Sequence, residues 1–228
     1  EMMEPEMGVG GPRRMVPPGS FGCLFMTCPG FRARAFFMRK GGNMPERILM
    51  DGGAIARTLN RLSHEIYERN KGLENVCLIG IRRRGEILAR RIRDLIRENY
   101  ACDLPCAGLD IGMYRDDLVS NYFVPDARAN SLGFDVNGKR VVLCDDVLHT
   151  GRSVRAAIEA IFDLGRPASI RLLVLCDRGG REMPVFADFV GKNVPTSRSE
   201  FIDVRLKEIE GEDALGIRGA DPAAGARG

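Results

Sequence analysis

Residues Val141 to Ser153, V-V-L-C-D-D-V-L-H-T-G-R-S, constrain the fold of this chain more than any other stretch. Val141, Val142, Leu143 and Cys144 form a short apolar run of the kind that is buried on both faces of a parallel sheet. Asp145 and Asp146 follow at its carboxyl end, where open α/β sheets place their ligands. Val147, Leu148 and His149 lead into Thr150-Gly151-Arg152-Ser153, which opens an amphipathic helix with Val154, Ile158, Ile161 and Phe162 on one stripe. A small-residue loop at a helix start presents free backbone N–H groups, and the helix dipole favours an anion there. Two carboxylates beside such a cradle do not bind phosphate themselves. They suit a polyol hydroxyl pair, a bound Mg²⁺, or both, so the expected ligand is a phosphorylated sugar. The bland alternative is a strand and capped helix with two solvated aspartates, and the ordered succession of all four parts argues against it.

Charge and cysteine content narrow the class further. The formal net charge of +3 resides in residues 1–43, where six basic residues face three acidic ones. The remainder is balanced, so any nucleic-acid binding must come from a local patch rather than from net charge. Cys77, Cys144 and Cys176 sit in apolar runs as small buried hydrophobes. Cys102 and Cys106 have zinc-like spacing without a second ligand pair, and the pattern suits a reducing, cytoplasmic setting. No run of eighteen apolar residues exists to span a membrane.

Along the chain, residues 1–43 hold six of the ten methionines among Pro and Gly without helical or strand period, and read as a disordered extension, with Met44 as a natural start. Asp51 caps a helix carrying Ile55, Leu59, Leu62 and Ile66 on one face and ending near Lys71-Gly72; its opposite face reads as solvated charge. Val76 to Ile81 is a buried strand. Gly80, Ile81, Arg82, Arg83, Arg84 and Gly85 then form a second basic, glycine-closed loop before a helix from Glu86 to about Asn99. Leu104 to Met113 reads as a strand, followed by a long polar loop opened by Tyr114, Arg115, Asp116 and Asp117. Ile170 to Cys176 is a further strand. The segment from Asp177 to about Glu208 is rich in turns, too irregular to extend the sheet, and contains a last strand at Phe201–Leu206. The tail, residues 214–228, is expected to be disordered. The alternation predicts an α/β fold with a doubly wound, mainly parallel sheet.

The Val141–Ser153 stretch closely resembles the signature of type I phosphoribosyltransferases, which bind 5-phosphoribosyl-1-pyrophosphate (PRPP). The resemblance implies a domain over residues 44–213 with a small C-terminal hood at about 177–208. It implies that Asp145 and Asp146 contact the ribose hydroxyls, that His149 to Ser153 wrap the 5′-phosphate, and that Gly80 to Gly85 bind pyrophosphate. It also implies a loop at Tyr114–Asp117 that closes over PRPP, and Mg²⁺ carried by PRPP rather than by a dedicated protein site. Asp177, Phe189 and Val190 would frame the base.

More specifically, Asp177-Arg178-Gly179-Gly180-Arg181-Glu182-Met183-Pro184, Gly191-Lys192-Asn193-Val194-Pro195-Thr196-Ser197-Arg198-Ser199-Glu200, His64-Glu65-Ile66 with Glu68-Arg69-Asn70-Lys71-Gly72, and Tyr114-Arg115-Asp116-Asp117-Leu118 resemble the bacterial bifunctional pyrimidine operon regulator/uracil phosphoribosyltransferase proteins. That implies a cytoplasmic homodimer or higher homo-oligomer making UMP from uracil and PRPP. It also implies UMP- or UTP-responsive binding to pyrimidine-operon leader mRNA through His64, Arg69, Lys71, Arg181 and Lys192. His149 stands where tyrosine is common, Ser153 and Asn60 where threonine is common, and Phe186 where a basic residue is common. The last two fall on the expected RNA face. The alternatives are a purine (hypoxanthine/guanine-type) phosphoribosyltransferase and an RNA-binding regulator with little catalysis.

Overall fold

The computed structural model describes residues 47–112, 114, 132–197 and 199–219. The expected extension at 1–43, Arg115 to Asp117 of the long loop, and residues 220–228 lie outside them.

Five strands form a parallel sheet: β2 (Val76–Ile81), β3 (Cys106–Leu109), β4 (Arg140–Leu148), β5 (Ser169–Asp177) and β6 (Phe189–Asn193), in the order β3-β2-β4-β5-β6. Their side chains alternate between two cores, as a period of two requires. Leu78, Val142, Cys144, Leu173 and Leu175 face helices α1 (Gly52–Asn70) and α2 (Arg84–Tyr100). Ile79, Val141, Leu143, Leu172 and Val174 face α3 (Arg152–Leu164). Helices cover both faces, so the sheet is doubly wound, as the alternation of elements predicts. Among the described residues no helix is long and apolar enough to cross a membrane.

Helix α1 begins where Asp51 accepts a 2.7 Å bond from the Ala54 amide and ends at Lys71 in the left-handed conformation. Its last carbonyls are held by arginines from the sheet: Arg140 donates to Asn70 O at 2.7 Å and to Glu74 O just beyond, and Arg171 to Arg69 O at 3.1 Å. These cations at the negative end of the helix dipole tie α1 to β4 and β5.

Several expectations need correction. Residues 189–193 do extend the sheet, although F-V-G-K-N carries little strand pattern of its own. They gain it from β5, with Leu173 opposite Phe189 and Val174 opposite Val190. The hood is not confined to about 177–208. It is a three-stranded antiparallel sheet, ordered β1-β8-β7, made from both ends of the described chain. Here β1 is Arg47–Asp51, β7 is Phe201–Arg205 and β8 is Ala214–Arg218; the short helix α4 (Lys207–Glu210) joins β7 to β8. The tail therefore is ordered at 214–218, with Leu215 fully buried, because it inserts between two partner strands. Strand β3 is shorter than Leu104–Met113, spanning only Cys106–Leu109. Phe162 is 54% exposed and leaves the α3 stripe. The helix instead lays Ala156, Ala157 and Ala160 on the sheet, and these small residues give it close approach on a face that excludes Phe162.

Candidate active site

The carboxyl ends of β2, β4 and β5 converge on one edge of the parallel sheet, and three loops rise from it. The first follows β2. Helix α2 starts so close to the sheet that a Cβ at Gly85 would lie 2.4 Å from the Cys144 carbonyl oxygen of β4, and one at Gly80 would lie 2.4 Å from the Gly85 oxygen. Only glycine permits this approach. It brings Arg82, Arg83 and Arg84 beside the end of β4, with the Arg82–Arg83 peptide in the cis form. The three arginines have different surroundings. Arg82 lies 3.8 Å from Glu86 and 3.6 Å from Asp110. Arg84 lies 3.8 Å from Asp146 and 2.6 Å from Glu210. Arg83 is exposed and makes no hydrogen bond or ion pair among the described residues.

Asp145 and Asp146 lie within β4, which continues to the buried Leu148 and does not stop at Cys144. Asp145 is 8% exposed. Its Oδ1 accepts the Asp146 amide at 2.9 Å, and Asp146 Oδ1 accepts the Val147 amide at 2.9 Å. Each carboxylate thus accepts the next backbone N–H, a local contribution to its orientation.

The second loop, His149 to Ser153, opens α3. Gly151 adopts φ +91°, and α3 has neither a side-chain cap nor an acidic residue in its first turn. The Arg152 amide makes a long 3.4 Å bond to Thr150 Oγ1, and the other amides of the first turn are available to an anion. A cleft of about 50 Å³ lies here, lined by Asp145, His149, Thr150, Gly151 and Ser153 among others. The loop is braced from behind: the Thr150 carbonyl accepts the Glu182 and Met183 amides, both at 2.9 Å, and Arg152 Nε donates to Glu182 at 2.8 Å. His149 is exposed overall, yet partial desolvation of its ring, followed by the nearby Arg178 and Arg181 charges, pulls its pKa below the ordinary 6.5, with Glu182 opposing.

The third loop follows β5. Asp177 accepts the Gly179 amide at 3.0 Å and a charged bond from Arg181. Burial raises its pKa, but those two bonds outweigh it and hold the carboxyl below its usual range.

The remaining expected residues separate. Phe189 is fully buried under α1, with the Arg69 guanidinium 5.3 Å from its ring centroid, so its side chain cannot frame a base. Its strand position, pointing toward the α1 core, is what the sequence could not show. Val190 is half-buried, and its carbonyl accepts Arg61 at 3.0 Å. Tyr114 is anchored to Asp163 of α3 at 2.7 Å. His64 Nδ1 is 2.6 Å from the Tyr100 hydroxyl, and Lys71 is exposed at the helix end. Arg181 is not a surface cation. It lies inward, on Asp177 and on the carbonyls of Leu148, His149, Gly179 and Val185. Lys192 lines a separate cleft of about 390 Å³ with Arg57, Thr58, Arg61 and Met50. Arg57 and Arg61 fall on the α1 face that reads as plain solvated charge. Only their meeting with Lys192, across a long sequence separation, marks them.

Residues 47–209 match the phosphoribosyl transferase domain family. A bifunctional protein PyrR of Clostridioides difficile (strain 630) is 54% identical over 170 residues, covering 75% of this chain and 96% of that protein. One from Pelotomaculum thermopropionicum is 53% identical over 169 residues, covering 74% and 93%. This chain belongs to the PyrR family. This PyrR-family chain shares its fold with purine enzymes of known structure. The hypoxanthine phosphoribosyltransferase of Trypanosoma cruzi superposes with a TM-score of 0.60 at 20% identity, over 80% of this chain and 95% of that one. The Staphylococcus aureus enzyme gives 0.57 at 17% identity, over 79% and 95%. At such identities the likeness is one of fold. The purine alternative is not favoured.

Proposed function

We propose that this protein transfers ribose 5-phosphate from PRPP to uracil, giving UMP and pyrophosphate, and that it also binds pyrimidine-operon leader mRNA in response to UMP or UTP. One observation carries the catalytic reading: an oriented aspartate pair, Asp145 and Asp146, stands between an uncapped helix start and a basic glycine-closed loop. Amides of His149 to Ser153 suit the 5′-phosphate, the aspartates suit the ribose hydroxyls, and the Gly80–Gly85 loop suits the leaving pyrophosphate.

In this reading N1 of uracil forms a bond to ribose C1 as the C1–O bond to pyrophosphate breaks, with inversion and loss of the N1 proton. Positive charge develops on the ribose, and the ionised aspartates stabilise it more than the ground state. The exposed Arg83 offers a cation to the departing pyrophosphate. The two hard carboxylates also fit Mg²⁺, which binds one or two carboxylates together with substrate phosphates. When bound, Mg²⁺ supplies neutralisation of the leaving charge. Incubating the protein with PRPP, Mg²⁺ and either uracil or hypoxanthine tests this. UMP from uracil is expected; IMP from hypoxanthine in its place would move the protein to the purine class.

The RNA reading has its own support in the 390 Å³ cleft, whose described lining includes Arg57, Lys192 and Arg61, the last paired with Glu65. A homodimer would present it twice. Filter binding to the leader RNA, with and without UMP, tests this part.

A further inference from the structure

Arg84 and Glu210 form a link that the catalytic reading does not require. Glu210 belongs to α4, between the last two hood strands, whereas Arg84 is the first residue of α2 at the pyrophosphate loop. Their side chains meet at 2.6 Å, and the other end of the same guanidinium points to Asp146 at 3.8 Å. The carboxylate is not free to wander. Its Oε2 accepts the Leu206 amide at 2.8 Å, so both oxygens are engaged. The segment that carries it is fastened to α2 about two turns further on. Arg91 donates to Glu208 at 2.6–2.8 Å and to Asp213 at 2.7–3.0 Å, and Asp213 also accepts the Lys207 amide at 2.8 Å. Glu210 therefore presents a fixed anion to a side chain that would otherwise have many rotamers, and the pair aims one charged face at the ribose-binding aspartate.

We propose that Glu210 is a positioning residue for Asp146, acting through Arg84, and so couples the hood to ribose binding. The inference rests on the phosphoribosyl-transfer reading above. Arg84 is thereby distinguished from Arg83: one orients the acid that holds the sugar, the other faces the leaving group.

The test compares wild type, Glu210→Gln, Arg84→Gln and the double variant in UMP synthesis. Gln retains an acceptor for the Leu206 amide but loses the charge that holds Arg84. In Glu210→Gln, KM for PRPP should rise roughly tenfold, about 1.4 kcal/mol, within the range of a hydrogen bond to a charged group, while KM for uracil stays put. Arg84→Gln should behave alike, and the double variant should be no worse than either single one. An unchanged KM for PRPP, parallel rises in both KM values, or additive losses in the double variant would overturn the proposal. Wild-type protein that makes no UMP would instead overturn the catalytic reading on which it rests.

Discussion

The Arg181 guanidinium donates to the His149 carbonyl at 2.9 Å while binding the Asp177 carboxylate, so it spans the His149–Ser153 loop and the base of the third loop. This arginine is 18% exposed at its side chain and holds both loops in register from beneath. Arg181→Gln should strand Asp177 without its cation, at a cost of about 1–3 kcal/mol in stability. The sign with pH follows from the lowered Asp177 pKa. Its contribution is full above the ordinary value of 3.8 and is lost as pH falls through the lower folded value. Thermal unfolding of the variant should therefore depend less on pH below 4 than that of wild type. A variant that loses RNA binding alone, at unchanged stability, would return Arg181 to the surface face.

Asp145→Asn and Asp146→Asn should fold and lose activity. Each removes a charged acceptor for a sugar hydroxyl, worth roughly 1.5–3 kcal/mol, so kcat/KM should fall by about ten- to a hundredfold. UMP synthesis at the wild-type rate in both variants would remove the pair from the site.

PRPP affinity should strengthen as pH is lowered from 7 toward 5 by an amount that His149→Tyr removes. The free imidazole is held below 6.5 by burial and by Arg178 and Arg181. A bound phosphate favours its charged form, so binding takes up a proton and is helped by acid. The phosphate titrates in the same range, and the difference between the two proteins isolates the histidine. Identical pH profiles from calorimetry would leave His149 as a spectator.

Binding of leader RNA should weaken with salt, and Lys192→Gln or Arg57→Gln should make the slope of log K against log salt shallower by about 0.7 for each lost single-strand phosphate contact. Phe186, 80% exposed, is available to stack on an unpaired base. UMP synthesis should persist in both variants, which touch neither aspartate nor the His149–Ser153 loop. An unaltered salt slope would take the cleft out of the RNA face.

Gly85→Ala should destabilise the fold by about 1–3 kcal/mol or more, the usual cost of overpacking, because the new methyl meets the Cys144 carbonyl rather than a yielding side chain. An unshifted urea midpoint would show that α2 tilts away freely.

Much of this protein is legible along the chain because the information is local. The V-V-L-C run, the Asp51 cap, the Ile55–Ile66 stripe and the oriented pair Asp145-Asp146 each depend on near neighbours, through period, cap or an adjacent N–H. So does the loop Thr150-Gly151-Arg152-Ser153, whose glycine and helix start are consecutive. What the tertiary structure alone decided is long-range partnership. Strand β6 exists because β5 offers it an edge, and β8 because β1, from the opposite end of the domain, closes over it. Charges make the same point: the distant groups that Arg57, Arg61, Arg84 and Arg181 meet are not written in their sequence neighbourhoods. Folding sends Arg181 inward to Asp177, sets Arg84 between Asp146 and Glu210, and gathers Arg57 and Arg61 with Lys192 at an open cleft. A guanidinium's role is set by which acids and carbonyls come within about 3 Å of it, and that distance is a property of the packed chain.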